Sequence, residues 1–296
     1  MLNSATSIHG GSHVTARNPN RRSPFFRHFL GAVGALAGLF TAALAQAGPN
    51  VHFLIVMENG IGSPGQAQPY VDSLMELAKK ANGWEAVEGK YAAKRKAAKA
   101  YIKEKAPQFG IFSLGAFLRM RQENGLEVLG VAEVQAAGGR TFHLVSKTAQ
   151  DLSGCKGQKL ASNHFGSKRF LERVVFGGAF ALMDFERVKT NRPVQTLKAV
   201  LRDEAVCALI DDAQLGELAN LEGGSAVKSV WRSQELPPMA VVAFSGTPTA
   251  DRAKFKTSLA SLCSGEGKSA CDKVGIKAIR TADEAVFATA IQRYGN

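Results

Sequence analysis

Beyond residue 50 the chain alternates short apolar runs of strand length with amphipathic stretches of helical length, which restricts it to an α/β fold. VHFLIVM (Val51–Met57) is a continuous apolar run of buried-strand length. After a Gly/Ser/Pro segment, PYVDSLMELAKKAN predicts a helix with Pro69 in its first turn and Val71, Leu74, Met75, Leu77 and Ala78 on one face. WEAVEG reads as a weak strand, and QFGIF (Gln108–Phe112) as a buried one capped by Ser113 into the helix LGAFLRMRQEN. EVLGVAEV is the next strand, and TFHLVS opens a second series. That series runs QKLAS, helix SKRFLERVVF, strand FERV, helix PVQTLKAVLR, strand AVCALID, helix AQLGELAN and strand AVKSVW. Past Pro237-Pro238 comes the strand MAVVAF. The remainder (ADRAKFKTSLASLC, SACDKVG, ADEAVFATAIQRY) reads as helical. Ligands of such sheets bind at the carboxyl ends of strands, where helix N-termini converge.

The first 47 residues are of another kind. They contain no Asp or Glu, carry Arg17, Arg21, Arg22 and Arg27, and lead into the apolar run Phe29–Ala45. Ala45-Gln46-Ala47 then precedes Gly48-Pro49, completing the basic, apolar and small-residue parts of a secretory signal. Residues 1–47 are therefore read as a signal peptide cleaved near Ala47, which leaves a periplasmic or secreted chain. The alternative is an uncleaved anchor, because the run approaches the roughly 17–25 residues of a spanning helix. Its Gly and Ala content and the cleavage triplet favour removal. Arg21-Arg22 before Phe25-Phe26 hints at twin-arginine export, which Pro24 interrupts, so the choice between the two export routes stays open.

The chain carries a formal charge of +12. Without the four signal arginines, 33 basic residues face 25 acidic ones, a net of +8 that favours anionic partners. Much of the excess lies in KYAAKRKAAKAYIKEK (Lys90–Lys105), read as a basic helix with a solvated face. No nucleic-acid reader motif accompanies it, so no nucleic-acid partner is expected. The four cysteines, Cys155, Cys207, Cys263 and Cys271, suggest disulfides in an exported protein. Three pairings are possible. Cys263 and Cys271 flank a glycine-bearing turn and make a natural local pair, leaving Cys155 to Cys207. Each bridge stabilises by roughly 2–4 kcal/mol. No C-x-x-C occurs and no histidines stand at metal-ligand spacing, so no metal or cofactor is expected. The absence of G-x-S-x-G, a P-loop or a paired-histidine motif argues against an enzyme. His143, flanked by Phe142 and Leu144, reads as a strand residue and not a catalytic base.

Several strings together resemble a family. DLSGCKGQKLASNHFGSKRFLERV, VQTLKAVLRDEA, VWRSQELPPMAVVAF and KVGIKAIRTADEAVF are similar, in order and spacing, to segments of solute-binding proteins for phosphate, phosphite and phosphonate ABC transporters. The similarity runs from about Val51 to the C-terminus. It implies a two-lobed α/β clamp of the type II periplasmic-binding-protein kind, each lobe a mixed, mostly parallel sheet flanked by helices. Lobe one would be residues 48–136 plus 238–296 and lobe two 137–237, with crossings near Val131–Val134 and Pro237–Val242. Each expected disulfide then stays within a lobe and leaves the hinge free.

The resemblance also implies a small, phosphate- or phosphonate-like anion in the interlobe cleft, held by helix N-termini and hydroxyls. The candidate cradle is Ser162, Asn163, His164, Gly166 and Ser167, with Phe165 among them and Lys168 and Arg169 adding charge; the alternative is a capped helix start with nothing bound. Asn59, Ser63 and Ser113 are the lobe-one candidates. Arg192, before a helix, is a candidate for bidentate pairing with an anion oxygen, and Asp211 is either an N-cap or a contact for a cationic group. This chain departs from the family where Asn163, His164 and Phe165 replace a run of Ser/Thr hydroxyls. Pro193 stands in place of a histidine, and Gln108 and Val206 in place of acidic residues. The expected function is a periplasmic solute-binding protein, a monomer docking on an ABC permease and touching the membrane only through its signal or that permease. The alternatives are a ligand-altered signalling or scaffold relative, or an exported enzyme.

Overall fold

The structure is a computed structural model and describes residues 50–58, 63–134, 140–273 and 276–295. The expected signal peptide (1–47) and Asn59 lie outside the described residues. Two sheets carry the chain. The first is built from β1 (Val51–Val56), β2 (Val87–Ala92), β3 (Phe109–Phe112), β4 (Glu127–Val134), β10 (Met239–Ala243) and β11 (Ile276–Thr281), in the order β11-β4-β10-β3-β1-β2. The second contains β5 (Phe142–Ser146), β6 (Lys159–Ser162), β7 (Glu186–Lys189), β8 (Cys207–Asp211) and β9 (Lys228–Arg232), in the order β7-β6-β8-β5-β9.

Both sheets are mixed, as expected, but parallel pairing is the minority among the described residues. β1 runs parallel to β2 and β3, and β6 to β7 and β8. β10 is antiparallel to β3 and β4, β11 to β4, and β5 to β8 and β9. The reason lies in the crossings: a strand that enters a sheet from the other lobe has no preceding crossover helix to turn it parallel. The two crossing segments meet where Leu236 N–H donates to the Arg140 carbonyl at 2.7 Å and Arg140 Nε donates to the Leu236 carbonyl at 3.0 Å.

Several elements differ from the sequence reading. Helix α1 (Pro64–Asn82) starts five residues before Pro69, capped by Ser63, with Pro64 at its first position. The basic run begins as strand β2, and its helix α2 is confined to Arg95–Lys105. Helix α3 is only Leu114–Met120. The C-terminal part is not all helical: between α8 (Gly267–Lys273) and α9 (Ala288–Gly295) it contains β11, whose Ile276 and Ile279 are buried while Lys277 and Arg280 are exposed. Gly130 of β4 admits this strand, since a Cβ there would lie 2.4 Å from the Arg280 carbonyl oxygen.

Three apolar cores result among the described residues. One lies between the first sheet, α1 and α7 (Thr249–Leu262), around Phe53, Phe109 and Phe255. Another packs α5 (Pro193–Leu201) and α6 (Asp212–Leu218) on the second sheet through Leu197, Val200, Ala208 and Ile210. The largest is continuous from Leu54, Phe112 and Leu114 of the first lobe to Phe142, Leu160 and Phe170 of the second. Disulfides join Cys155 to Cys207 and Cys263 to Cys271, the pairing the local spacing favoured. Among the described residues no helix is long and apolar enough to cross a membrane.

Candidate functional site at the seam between the lobes

The seam is built where strands of both sheets end and the chain turns into helix or 3₁₀ turn. From the first lobe come Glu58, two residues past β1, and α3, which follows β3 through Ser113. From the second come the segment after β6, which enters α4 (Lys168–Phe170) and a π-helical turn (Leu171–Val175), and the starts of α5 and α6.

A polar bridge centred on Arg119 spans the seam. Arg119 of α3 pairs through Nη1 with the Glu58 carboxylate, and its Nη2 donates to Ser167 Oγ at 2.8 Å. Arg95 Nε reaches the other Glu58 oxygen at 3.4 Å. The side chains of Glu58 and Arg119 are only 11% and 16% exposed, so the ion pair is shielded from solvent and removing one partner would leave a poorly solvated charge. Gly115 of α3 also packs near the Phe170 ring, where a Cβ would sit 3.4 Å from Cδ1, an ordinary van der Waals distance.

Behind the bridge is a buried polar network. Asn163 Oδ1 accepts from Thr196 Oγ1 at 3.0 Å and from Gln214 Nε2 at 3.1 Å. Thr190 Oγ1 lies 2.6 Å from Thr196 Oγ1, and the Pro193 carbonyl accepts from Gln214 Nε2 at 3.5 Å. Gln214 Oε1 accepts from His164 Nε2 at 2.8 Å and from the Asp211 N–H at 3.3 Å. The orientation of each group follows from the next. The Asp211 amide can only donate, so the Gln214 oxygen faces it and the Gln214 nitrogen faces Asn163. Asn163 must then present its oxygen to Gln214. Its Nδ2, buried and unable to flip away, has no acceptor among the described residues.

The candidate residues are distributed unevenly. Ser162 is fully buried, its Oγ donating to the Leu209 carbonyl at 2.8 Å and accepting the His164 N–H at 3.1 Å. Ser167 engages Arg119, and Gly166 borders open space. Asp211 is the N-cap of α6, accepting from Gln214 N–H at 2.9 Å, with His164 Nε2 at 3.8 Å from its carboxylate. Burial pushes the Asp211 carboxyl above its ordinary range, against the opposing pull of His164. Ser63 is spent on capping α1 in an exposed position, and Ser113 stands at the N-cap position of α3 without a side-chain cap bond. Arg192 is exposed at the start of α5.

Gln108 and Val206 lie at the opposite, amino ends of β3 and β8. There the Gln108 side chain accepts the His52 N–H at 2.7 Å, and the Val206 carbonyl accepts from Ser146 Oγ at 2.7 Å. His143 is a buried strand residue with Nδ1 2.9 Å from Ser229 Oγ, and burial lowers its pKa. The sequence reading missed Glu58, Arg119, Thr196 and Gln214. Only Gln214 left a local trace, in the capping pattern D-x-x-Q of Asp211–Gln214. Among the described residues no group of three or more His, Cys, Asp or Glu is placed to hold a metal ion.

A family model described as "ABC transporter, phosphonate, periplasmic substrate-binding protein" matches residues 63–287. The chain belongs to that family. The phosphonate-binding family is one of periplasmic transport proteins and not of enzymes. Solved structures share the two-lobed fold. A binding-protein component of an ABC phosphonate transporter from Pseudomonas aeruginosa superposes with a TM-score of 0.63 at 13% identity, covering 83% of this chain and 85% of that one. PhnD1 from Prochlorococcus marinus, in complex with methylphosphonate, gives 0.61 at 10% identity over 83% and 96%. The aliphatic sulphonate binding protein SsuA from Escherichia coli gives 0.58 at 12% identity over 83% and 85%. No curated protein matches the chain in sequence.

Proposed function

We propose that this member of the phosphonate-binding family is a monomeric periplasmic receptor that takes a small oxyanion of the phosphonate or phosphate class between its lobes and delivers it to an ABC permease. The single observation that carries this reading is Asn163 Nδ2, a buried donor whose oxygen is held by two partners so that its N–H groups have nowhere else to turn. Leaving such a donor unmatched costs about 1–3 kcal/mol, which an anion oxygen would recover. Arg119 supplies positive charge from the facing lobe, already aimed at the seam by Glu58. The ligands named for PhnD1 and SsuA, a phosphonate and a sulphonate, motivate the choice of oxyanion.

One observation favours the ligand-altered reading. The hydroxyls of Ser162 and Ser167 are engaged within the protein, and Phe170 against Gly115 closes part of the seam with apolar contact. A thermal-shift and titration panel of methylphosphonate, phosphate, sulfate and methanesulfonate separates the two. A receptor's melting temperature rises with at least one of them by mass action. Asn163→Asp, which sets a carboxylate against the anion, should then weaken binding about 100-fold, the scale of a lost charge-assisted hydrogen bond plus repulsion. A panel without any shift gives the answer to the scaffold reading.

A further inference from the structure

We propose a second anion pocket at the β7 edge of the second sheet, sharing Phe165 and Gly166 with the segment that enters the seam but lying apart from the Asn163 network, suited to an organic phosphate or phosphonate with a flat apolar body. The pocket has a volume of about 470 Å³ and is lined by Phe165, Gly166, Phe185, Arg187 and Lys189. That size lies within the roughly 300–1,000 Å³ of small-molecule sites.

Strand register separates it from the Asn163 network. Leu160 and Ser162 of β6 pair with Arg187 and Lys189 of β7. Paired residues of neighbouring strands share a face, so both cations lie on the side of the core that holds Leu160. Ala161 and Val188 point the other way, to the side of α5 and α6, whose Thr196 and Gln214 hold Asn163.

Arg187 and Lys189 are two residues apart on one strand, so their Cα atoms are about 6.6 Å apart and their side chains can flank a single dianionic head. Both are exposed, and neither has a carboxylate partner among the described residues. Phe185 is buried and Phe165 half-buried, offering aromatic surface to the ligand body. Gly166 leaves the wall open, since a Cβ there would meet nothing within 4 Å. Edge-strand cations also guard against unwanted strand pairing. That role requires neither a concavity nor two rings beside it, and here all three coincide.

The test uses phenyl phosphate as probe in the Asn163→Asp background, which disables the seam site and so keeps the two readings apart. Isothermal titration at low salt should show saturable binding that weakens as salt is raised. The added change Arg187→Gln/Lys189→Gln should reduce affinity about ten-fold or more, in line with the loss of charge-assisted contacts. Because both side chains are exposed, far-UV circular dichroism should be unchanged. Inorganic phosphate should bind more weakly than phenyl phosphate, and Phe165→Leu should erase that difference. Absence of saturable binding in the Asn163→Asp protein overturns the proposal. So does binding indifferent to the double substitution, or inorganic phosphate bound as tightly as the aryl ester.

Discussion

Gln214 has its amide oriented on both sides, by the Asp211 N–H and His164 on its oxygen and by Asn163 on its nitrogen, and this leaves Asn163 Nδ2 as a buried donor without an acceptor among the described residues. The same residues imply a pH dependence. Burial raises the Asp211 carboxyl above the ordinary 3.8, with the charge of His164 opposing. A carboxyl whose folded pKa exceeds its unfolded value adds stability below the unfolded value and loses it as pH rises towards the folded one. Asp211→Asn keeps a cap acceptor but cannot titrate. The stability of the native protein relative to this variant should therefore decline as pH rises from about 4, as followed by urea midpoints across a pH series. A constant difference across that range would refute the assignment. At the bridge, Arg119→Met leaves the shielded Glu58 with Arg95 alone. We expect a loss of about 2–3 kcal/mol, below the full cost of an orphaned buried charge, largely restored by adding Glu58→Gln. Equal losses in the single and double variants would contradict a pairing role. Asn163 and His164 stood out in the sequence because they interrupt a string similar to the family's. Arg119 did not, because one arginine on a short helix carries no sign of a partner 48 residues away.

At the level of elements, long apolar runs and amphipathic stretches were the most legible, and segments decided by neighbours the least. β1, β3, β4, β8 and β10 stand where VHFLIVM, QFGIF, EVLGVAEV, AVCALID and MAVVAF predict them, since a buried central strand is apolar on both faces. β11 escaped because this edge strand shows no period-two alternation: a register shift between Ile276 and Ala278 brings Ile276 and Ile279, three residues apart, both inward, within a helix-like composition. Helix α1 was placed too late because Pro69 also satisfies the rule for a first turn. The capping box of Ser63 and Gln66 shows where the helix begins. The two bridges differ in the chain they enclose. Cys155–Cys207 spans 52 residues and Cys263–Cys271 spans 8, so loop-closure entropy assigns them about 4 and about 2.5 kcal/mol respectively. Urea unfolding of Cys155→Ala/Cys207→Ala and Cys263→Ala/Cys271→Ala should show the larger loss in the former; the reverse order would mean that native packing around the short bridge outweighs chain entropy.

For the molecule as a whole, the core that runs from Leu54 and Phe112 to Phe142 and Phe170 makes the seam apolar at its floor, with Arg119, Glu58 and Ser167 above it. Helix α9 lies against both α3 and the π-helical turn. Arg169 donates to the Gly295 carbonyl at 2.8 Å and stacks on Tyr294 at 5.0 Å, so the C-terminal helix joins the lobes on one side. Closing on an anion therefore adds to a contact that exists, and the paired crossings at Arg140 and Leu236 are where a hinge would turn. The export segment makes its own prediction. N-terminal sequencing of protein recovered from the periplasm should begin at Gly48, and a chain that retains Phe29–Ala45 would show an anchor instead.

The amino-acid sequence by itself determined the α/β class and the family, and it favoured one disulfide pairing of three. These rest on local periodicity, on ordered strings of residues and on the short separation of Cys263 and Cys271, all of which are present before folding. The tertiary structure alone decided the antiparallel entry of β5 and β10, the Arg119 bridge and the free amide of Asn163. Strand direction, burial and hydrogen-bond saturation are properties of neighbours in space, and the residues that become neighbours here lie tens of positions apart in the chain.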